Sequence, residues 1–214
     1  MLGVVVGLAK RLVQAGGSIV GVRHGTEEPP YTVEQLTSGV EIRRYGSRIA
    51  AETTVAADEE AARSAGFRRL AGYIFGGNNA ETKIAMTAPV AQQVGTTRGE
   101  TIPMTTPVSD TAGGNGEWVI RFFMPAGRTM KSLPQPNDRA VRLVSVPAET
   151  VAVRRFAGSI SSRAVASQTA QLMRTLRENG FEPTGTPGAW FYDPPWTLPA
   201  LRRNEIAVPV EPSE

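Results

Sequence analysis

The chain has 214 residues, 41% of them apolar and 20% charged, which is enough to bury a core and unlike a disordered composition. Its formal charge of +3 comes from basic residues scattered along the chain, not from the dense basic face of a nucleic-acid binder. With no cysteine and one histidine, His24, it excludes disulfides, thiolate catalysis, iron–sulfur clusters, thioether-attached cofactors and any scheme needing two histidines.

Residues 1–27 read as an N-terminal extension. Met1-Leu2-Gly3-Val4-Val5-Val6-Gly7-Leu8-Ala9 is apolar but far shorter than the roughly 20 residues that span a bilayer. Leu8, Leu12 and Val13 can share one face of a short amphipathic helix that ends at Gly16-Gly17. Such a helix docks on the domain or on a partner chain; peripheral membrane contact of residues 1–22 is the alternative. No cleavable leader is expected, and the cysteine-free composition fits the cytoplasm.

Residues 28–214 read as one domain written twice. Val40–Tyr45 and Ile49–Val55 have strand character. Asp58 offers a helix cap, with Glu59 and Glu60 at the positive end of the helix dipole. Phe67, Leu70, Ala71 and Ile74 then follow as one apolar stripe, stopped by Gly76-Gly77. In the second half Val141–Val146 and Thr150–Phe156 flank a turn at Pro147-Ala148-Glu149. Ser161 or Ser162 caps a helix with Val165, Leu172, Met173 and Leu176 inward, closed by Asn179-Gly180. The stretch Val40-Glu41-Ile42-Arg43-Arg44-Tyr45 is echoed by Val151-Ala152-Val153-Arg154-Arg155-Phe156, which suggests an internal duplication. Neither half covers its own sheet, so the two are expected to share one nearly closed sheet, with Leu70 and Leu172 facing it.

Two similar segments follow the first helix. Ile84-Ala85-Met86-Thr87-Ala88-Pro89-Val90 returns as Ile102-Pro103-Met104-Thr105-Thr106-Pro107-Val108. Proline removes a ladder donor, so both are expected as edge or strongly twisted strands, with Met86 and Met104 turned the same way, as core filling or as the soft wall of a cavity. Trp118–Phe123 reads as a strand. The stretch Thr184–Pro199, with Trp190, Phe191, Tyr192 and Trp196, is expected as a lid or a plug.

Four blocks in order carry a resemblance: Glu41-Ile42-Arg43-Arg44-Tyr45; Gly66-Phe67-Arg68-Arg69-Leu70-Ala71-Gly72-Tyr73-Ile74-Phe75-Gly76-Gly77-Asn78; Lys83-Ile84-Ala85-Met86-Thr87-Ala88-Pro89-Val90; and Asn204-Glu205-Ile206 after Arg202-Arg203. Together they resemble the SOUL haem-binding protein family from about Glu28 to Val210. The resemblance implies an α+β fold: a distorted β-barrel built from two ββαββ-type repeats with two flanking helices. It also implies non-covalent binding of haem or a related tetrapyrrole, by a carrier, buffer or sensor, on a shallow apolar surface near the first helix. The ligand-facing candidates are Arg63, Phe67, Leu70, Ile74, Met86 and Met104. An axial histidine proposed for some members has no counterpart inside the matched blocks. Iron ligation would fall to His24 in the extension, to a Tyr or Met, to a second chain of a homo-oligomer, or to no side chain.

Two other readings stay open. An enzyme acting on a small apolar ligand or a tetrapyrrole would draw on Glu41, Glu52 or Glu205, with carboxyl pKa values raised by an apolar cavity. A small-molecule-sensing interaction module would need a partner chain, since no DNA-binding helix pair is visible.

Overall fold

The computed structural model describes residues 26–37, 39–95, 116–194 and 196–212. The expected N-terminal helix, His24 and the second proline-marked segment with Met104 lie outside the described residues.

Among the described residues, ten strands and two α-helices follow one another in this order. Strands β1 (Tyr31–Thr37), β2 (Val40–Tyr45) and β3 (Arg48–Ala56) precede helix α1 (Glu59–Ile74). Strands β4 (Val90–Val94), β5 (Glu117–Phe123), β6 (Arg142–Val146) and β7 (Glu149–Phe156) lead to helix α2 (Ser162–Glu178). The chain ends with β8 (Phe181–Pro183), β9 (Gly188–Phe191) and β10 (Asn204–Pro212). All pairings between named strands are antiparallel, in the order β1-β2-β7-β10-β9-β4-β5-β3-β6, with β8 paired to β10.

Both helices start where the sequence places them. Asp58 Oδ1 accepts from the amides of Glu60 (3.1 Å) and Ala61 (2.9 Å), occupying two donors that the first turn leaves unpaired. Ser161 Oγ caps α2 through the amide of Ala164. Helix α1 ends at Phe75, and Gly76 follows at φ +118°, a backbone conformation open to glycine. Beneath α1, Gly66 lies so close to β5 that a Cβ there would sit 2.7 to 2.9 Å from three side-chain atoms of Ile120.

Alternation along the strands sorts the core into two faces. On the outer face, α1 covers Ala51, Ile120 and Phe122 with Leu70, Tyr73 and Ile74. Beside it α2 covers Val40, Ile42, Ile206 and Val208 with Leu172 and Leu176. Among the described residues no helix lies on the inner face, yet Tyr45, Val151, Val153, Trp190, Tyr192 and Ala207 are buried there. Side chains so placed leave water only because the sheet curls over them, which gives an α+β half-barrel with both helices outside.

The strand order has its own symmetry. Exchanging β2 with β6, β3 with β7, β4 with β9 and β5 with β10 maps the pairings β2–β7, β7–β10, β10–β9 and β9–β4 onto β6–β3, β3–β5, β5–β4 and β4–β9. The two Arg-Arg-aromatic stretches do not correspond under this exchange. They are the first strand of one half and the second of the other, and they pair directly, with Arg43 opposite Val151 and Tyr45 opposite Glu149. Their likeness reflects two neighbouring strands meeting the same two-faced environment.

The first proline-marked segment departs from expectation. Only Val90 of residues 83–90 belongs to a strand. Ile84 is buried against α1, its amide bonded to the Ile74 carbonyl at 2.8 Å, while Met86 is 37% exposed, so the two do not share a face. Thr87 makes a single bridge to Glu27, and the Ala88–Pro89 peptide is cis. In the aromatic tail Trp190, Phe191 and Tyr192 fill the core, and Trp196 is exposed.

Candidate functional site

Helix α1 turns one flank toward the strands between the two helices. Arg63 donates from Nη1 to the Ile160 carbonyl at 2.9 Å, and its Cζ stands 4.6 Å from the Phe191 ring centre. Burial holds this guanidinium below the ordinary arginine pKa, although Glu59 and Glu60 act in the opposite direction. One turn on, Phe67 is 36% exposed and meets the Phe122 ring at a tilted angle, with centres 5.4 Å apart. Leu70 and Ile74 are buried beneath the helix and support this flank from below. Of the sequence candidates, the structure therefore groups Arg63 with Phe67 above two buried rings and leaves Met86 at the surface.

Sequence reasoning missed the densest polar cluster, which lies on the inner face. Glu205 on β10 is fully buried and accepts two hydrogen bonds from Arg43, at 2.8 and 3.0 Å, one from Arg203 at 2.9 Å and one from the Tyr192 hydroxyl at 2.6 Å. Arg203 continues to Glu28 at 2.8 Å, and Arg43 to Glu41. A second hub sits at Glu52 on β3, which accepts from Arg121 of β5 and Arg142 of β6. Burial alone would raise both carboxyls. The guanidinium partners outweigh it and hold Glu205 and Glu52 below the ordinary carboxylate pKa. This corrects the raised-pKa expectation for Glu52 and Glu205, which stay ionised and bonded; Glu41 is ion-paired with Arg43. Burial pushes the Tyr45 phenol up to about 12 against the nearby Arg43, and Tyr192 is raised by burial and by Glu205.

Beside these hubs the Arg48 guanidinium lies over the rings of Tyr45 (4.2 Å) and Phe123 (4.6 Å) and bonds Glu149 through Nη2. A hollow of about 60 Å³ opens nearby between Arg121, Phe123, Glu149, Val151 and Trp190. That is room for water-sized groups, not for a macrocycle. A wider, open depression of about 560 Å³ lies between Asn79, Thr82, Met130, Lys131 and Gln135. Neither is walled by an α1 residue. Among the described residues no three His, Asp or Glu side chains gather as a metal site, and no helix is long and apolar enough to cross a membrane.

These features define a class: a two-helix α+β protein whose antiparallel sheet curls around a buried aromatic and ion-paired interior. The chain belongs to the SOUL heme-binding protein family, whose model matches residues 26–209. It is 30% identical over 171 residues to heme-binding protein 2 of Mus musculus, covering 75% of this chain and 77% of that protein. To heme-binding protein 2 of Homo sapiens it is 33% identical over 141 residues, covering 65% and 62%. Among solved structures, the EcmrR C-terminal domain superposes with a TM-score of 0.59 at 14% identity, over 85% of this chain and 98% of that one. An uncharacterized conserved protein from Listeria innocua superposes with a TM-score of 0.55 at 12% identity, over 80% and 92%. At such identities these likenesses speak to the fold alone.

Proposed function

We propose that the chain binds haem or a related tetrapyrrole without covalent attachment, as a carrier, buffer or sensor, on the exposed flank of α1. The observation that carries this reading is the family match over residues 26–209. The absence of cysteine supports non-covalent binding, since a thioether link needs a thiol. The α1 flank suits the ligand chemically: Phe67 offers an aromatic edge to a flat apolar ring, and Arg63 offers a cation to an acidic side arm. Leu70 and Ile74 hold the helix in place without touching the ligand. When bound, the iron would supply the ligand's redox and coordination chemistry. Exposed Met86 is one candidate donor among the described residues, with His24 and Met104 outside them. Tyr192 is unsuited to iron because its hydroxyl is buried and donates to Glu205.

Titration with haemin tests the reading. A Soret change that saturates near one ligand per chain, and that weakens several-fold in Phe67→Ala and Arg63→Gln, is the expected result. A signal that never saturates, or that an unrelated apolar protein reproduces, would overturn it.

A further inference from the structure

Arg48 opens β3, and its guanidinium bonds Glu149 at the start of β7, although four strands lie between β7 and β3 in the sheet order. The residue is only 9% exposed, yet Nη2 alone is bonded. Nε and Nη1 are buried and find no acceptor. The rings of Tyr45 and Phe123 pack against the guanidinium and offer their π-faces, not lone pairs. A guanidinium carries donors only, so buried N–H groups without an acceptor are costly.

The hollow of about 60 Å³ on the inner face borders this group. Its wall includes Phe123 and Glu149, which Arg48 touches, and Val146, the cross-strand neighbour of Arg48. Arg121, Gln93 and Trp190 complete the part of the wall that matters here. The space is several times the roughly 10–15 Å³ that one water needs.

Charge narrows what the space prefers. Arg121 donates from Nε to Glu52 at 2.5 Å, and Arg142 donates to the same carboxylate at 2.9 Å. Glu52 thus serves two guanidinium groups and Glu149 serves Arg48, so this cluster keeps one positive charge without a counter-charge. Burial, with the nearby Arg121 charge adding to it, holds Arg48 below the ordinary arginine pKa, while Glu149 pulls the other way. Charged acceptors make the stronger bonds to a guanidinium. A single negative charge balances the cluster; a dianion would reverse its sign.

We propose that the hollow beside Arg48 binds one small monovalent anion, of the size of chloride or formate, held by Arg48 and Arg121. Arg48 lies on β3, Arg121 on β5 and Glu149 on β7, so the ion ties the curl of the sheet together and stabilises it by mass action. The site is on the inner face, away from α1, and does not depend on tetrapyrrole binding.

The full chain is titrated with chloride at constant ionic strength, gluconate making up the balance, and the chloride-35 NMR line width is followed. A saturable excess broadening is expected, removed by formate along a one-site curve and not by sulfate. Arg48→Lys keeps the charge but loses the two unmet donor groups, and Arg121→Gln lowers the charge. Each should weaken the apparent affinity about tenfold. Glu149→Gln keeps an acceptor for Nη2 and removes the competing charge, so it should tighten binding several-fold. Arg44→Gln, at an exposed cation on β2, should change nothing. The thermal midpoint should rise with chloride in the wild type and stay level in Arg121→Gln. Broadening that never saturates, or that persists unchanged in both Arg48→Lys and Arg121→Gln, would overturn the proposal. So would displacement by sulfate as effective as by formate, since that is the mark of surface charge, and a hollow filled by water alone would give no excess broadening. Near-UV circular dichroism of each variant confirms that the line widths are read on folded protein.

Discussion

Arg43 and Glu205 stand 162 positions apart in the chain and meet on the inner face through two hydrogen bonds of 2.8 and 3.0 Å. Between their strands lies β7, so the pair clasps a three-strand unit made from both ends of the chain. Removing one charge strands the other in a buried site. Glu205→Gln should cost about 3–5 kcal/mol, because Arg43 and Arg203 lose their shared counter-charge. Tyr192→Phe removes one hydrogen bond to the carboxylate and should cost about 1.5–3 kcal/mol. Urea midpoints at constant m-value measure both, and a Glu205→Gln midpoint at the wild-type value would show that the clasp contributes nothing.

The same groups set the pH window of stability. Glu205 and Glu52 titrate below 4.5 in the fold and at their ordinary value once unfolded. Their contribution is therefore complete above about pH 4.5 and is lost as pH falls through the lowered values. Tyr45 behaves in the opposite sense. Its folded pKa of about 12 lies above the ordinary 10.0, so the folded state keeps a proton that the unfolded state gives up. Stability should hold below pH 10 and decline from there to about 12, with Tyr192 adding to the fall. Thermal midpoints against pH should show a plateau with an acid and an alkaline limb, and Glu205→Gln should flatten the acid limb. An acid limb unchanged by that substitution would place the effect elsewhere.

What the sequence disclosed follows from the range of the forces involved. Asp58, Glu59 and Glu60 announce α1, and Ser161 announces α2, because capping is settled within three residues. The strands on either side were legible from alternation. The Glu205 and Glu52 hubs were not, since a carboxylate in a strand looks alike whether it faces water or an arginine brought from 69 or 162 positions away. The segment 83–90 failed for another reason. Ile84 and Met86 alternate like strand residues, but Asn78 fixes the turn just before them and Ile84 bonds back to the end of α1, so the ladder does not form until Val90. At α1 the stripe Phe67-Leu70-Ile74 suggested one apolar face. The structure splits it: Leu70 and Ile74 are buried, while Phe67 stands at the edge, 36% exposed with its ring against Phe122, and Gly66 lets the helix lie close to Ile120.

That close approach is itself testable. Gly66→Ala places a methyl within 2.9 Å of three Ile120 atoms, and the interior leaves little room to yield. The cost should be about 1–3 kcal/mol despite the better helix propensity of alanine. Ile120→Val removes one of the atoms in the way, so the double variant should be more stable than the sum of the two single losses. A double-mutant cycle in urea measures the coupling, and a purely additive result would mean that Gly66 does not set the distance between α1 and β5.

Asn78 gives the sharpest single-residue expectation. It is buried, and its amide group closes the turn after α1 with four bonds. Nδ2 donates to the carbonyls of Tyr73 (3.1 Å) and Thr82 (2.7 Å), and Oδ1 accepts from the amides of Ala80 (3.2 Å) and Thr82 (3.1 Å). Asn78→Ala leaves these backbone groups unpaired where water enters poorly, at about 1–3 kcal/mol for each one that stays buried. Asn78→Asp keeps the size and the accepting oxygen but turns two donor bonds into contacts between a carboxylate and two carbonyls. At pH 7 it should cost at least as much as alanine. The introduced carboxyl is pushed to a higher pKa in the fold, because only its protonated form can donate. Its penalty should therefore shrink as pH falls from 7 to 5, a range in which the ion-paired glutamates remain charged, while the alanine penalty stays constant. Urea midpoints of both variants at the two pH values decide the matter. Parallel behaviour of the two would show that the turn is held by shape and not by the direction of these four bonds.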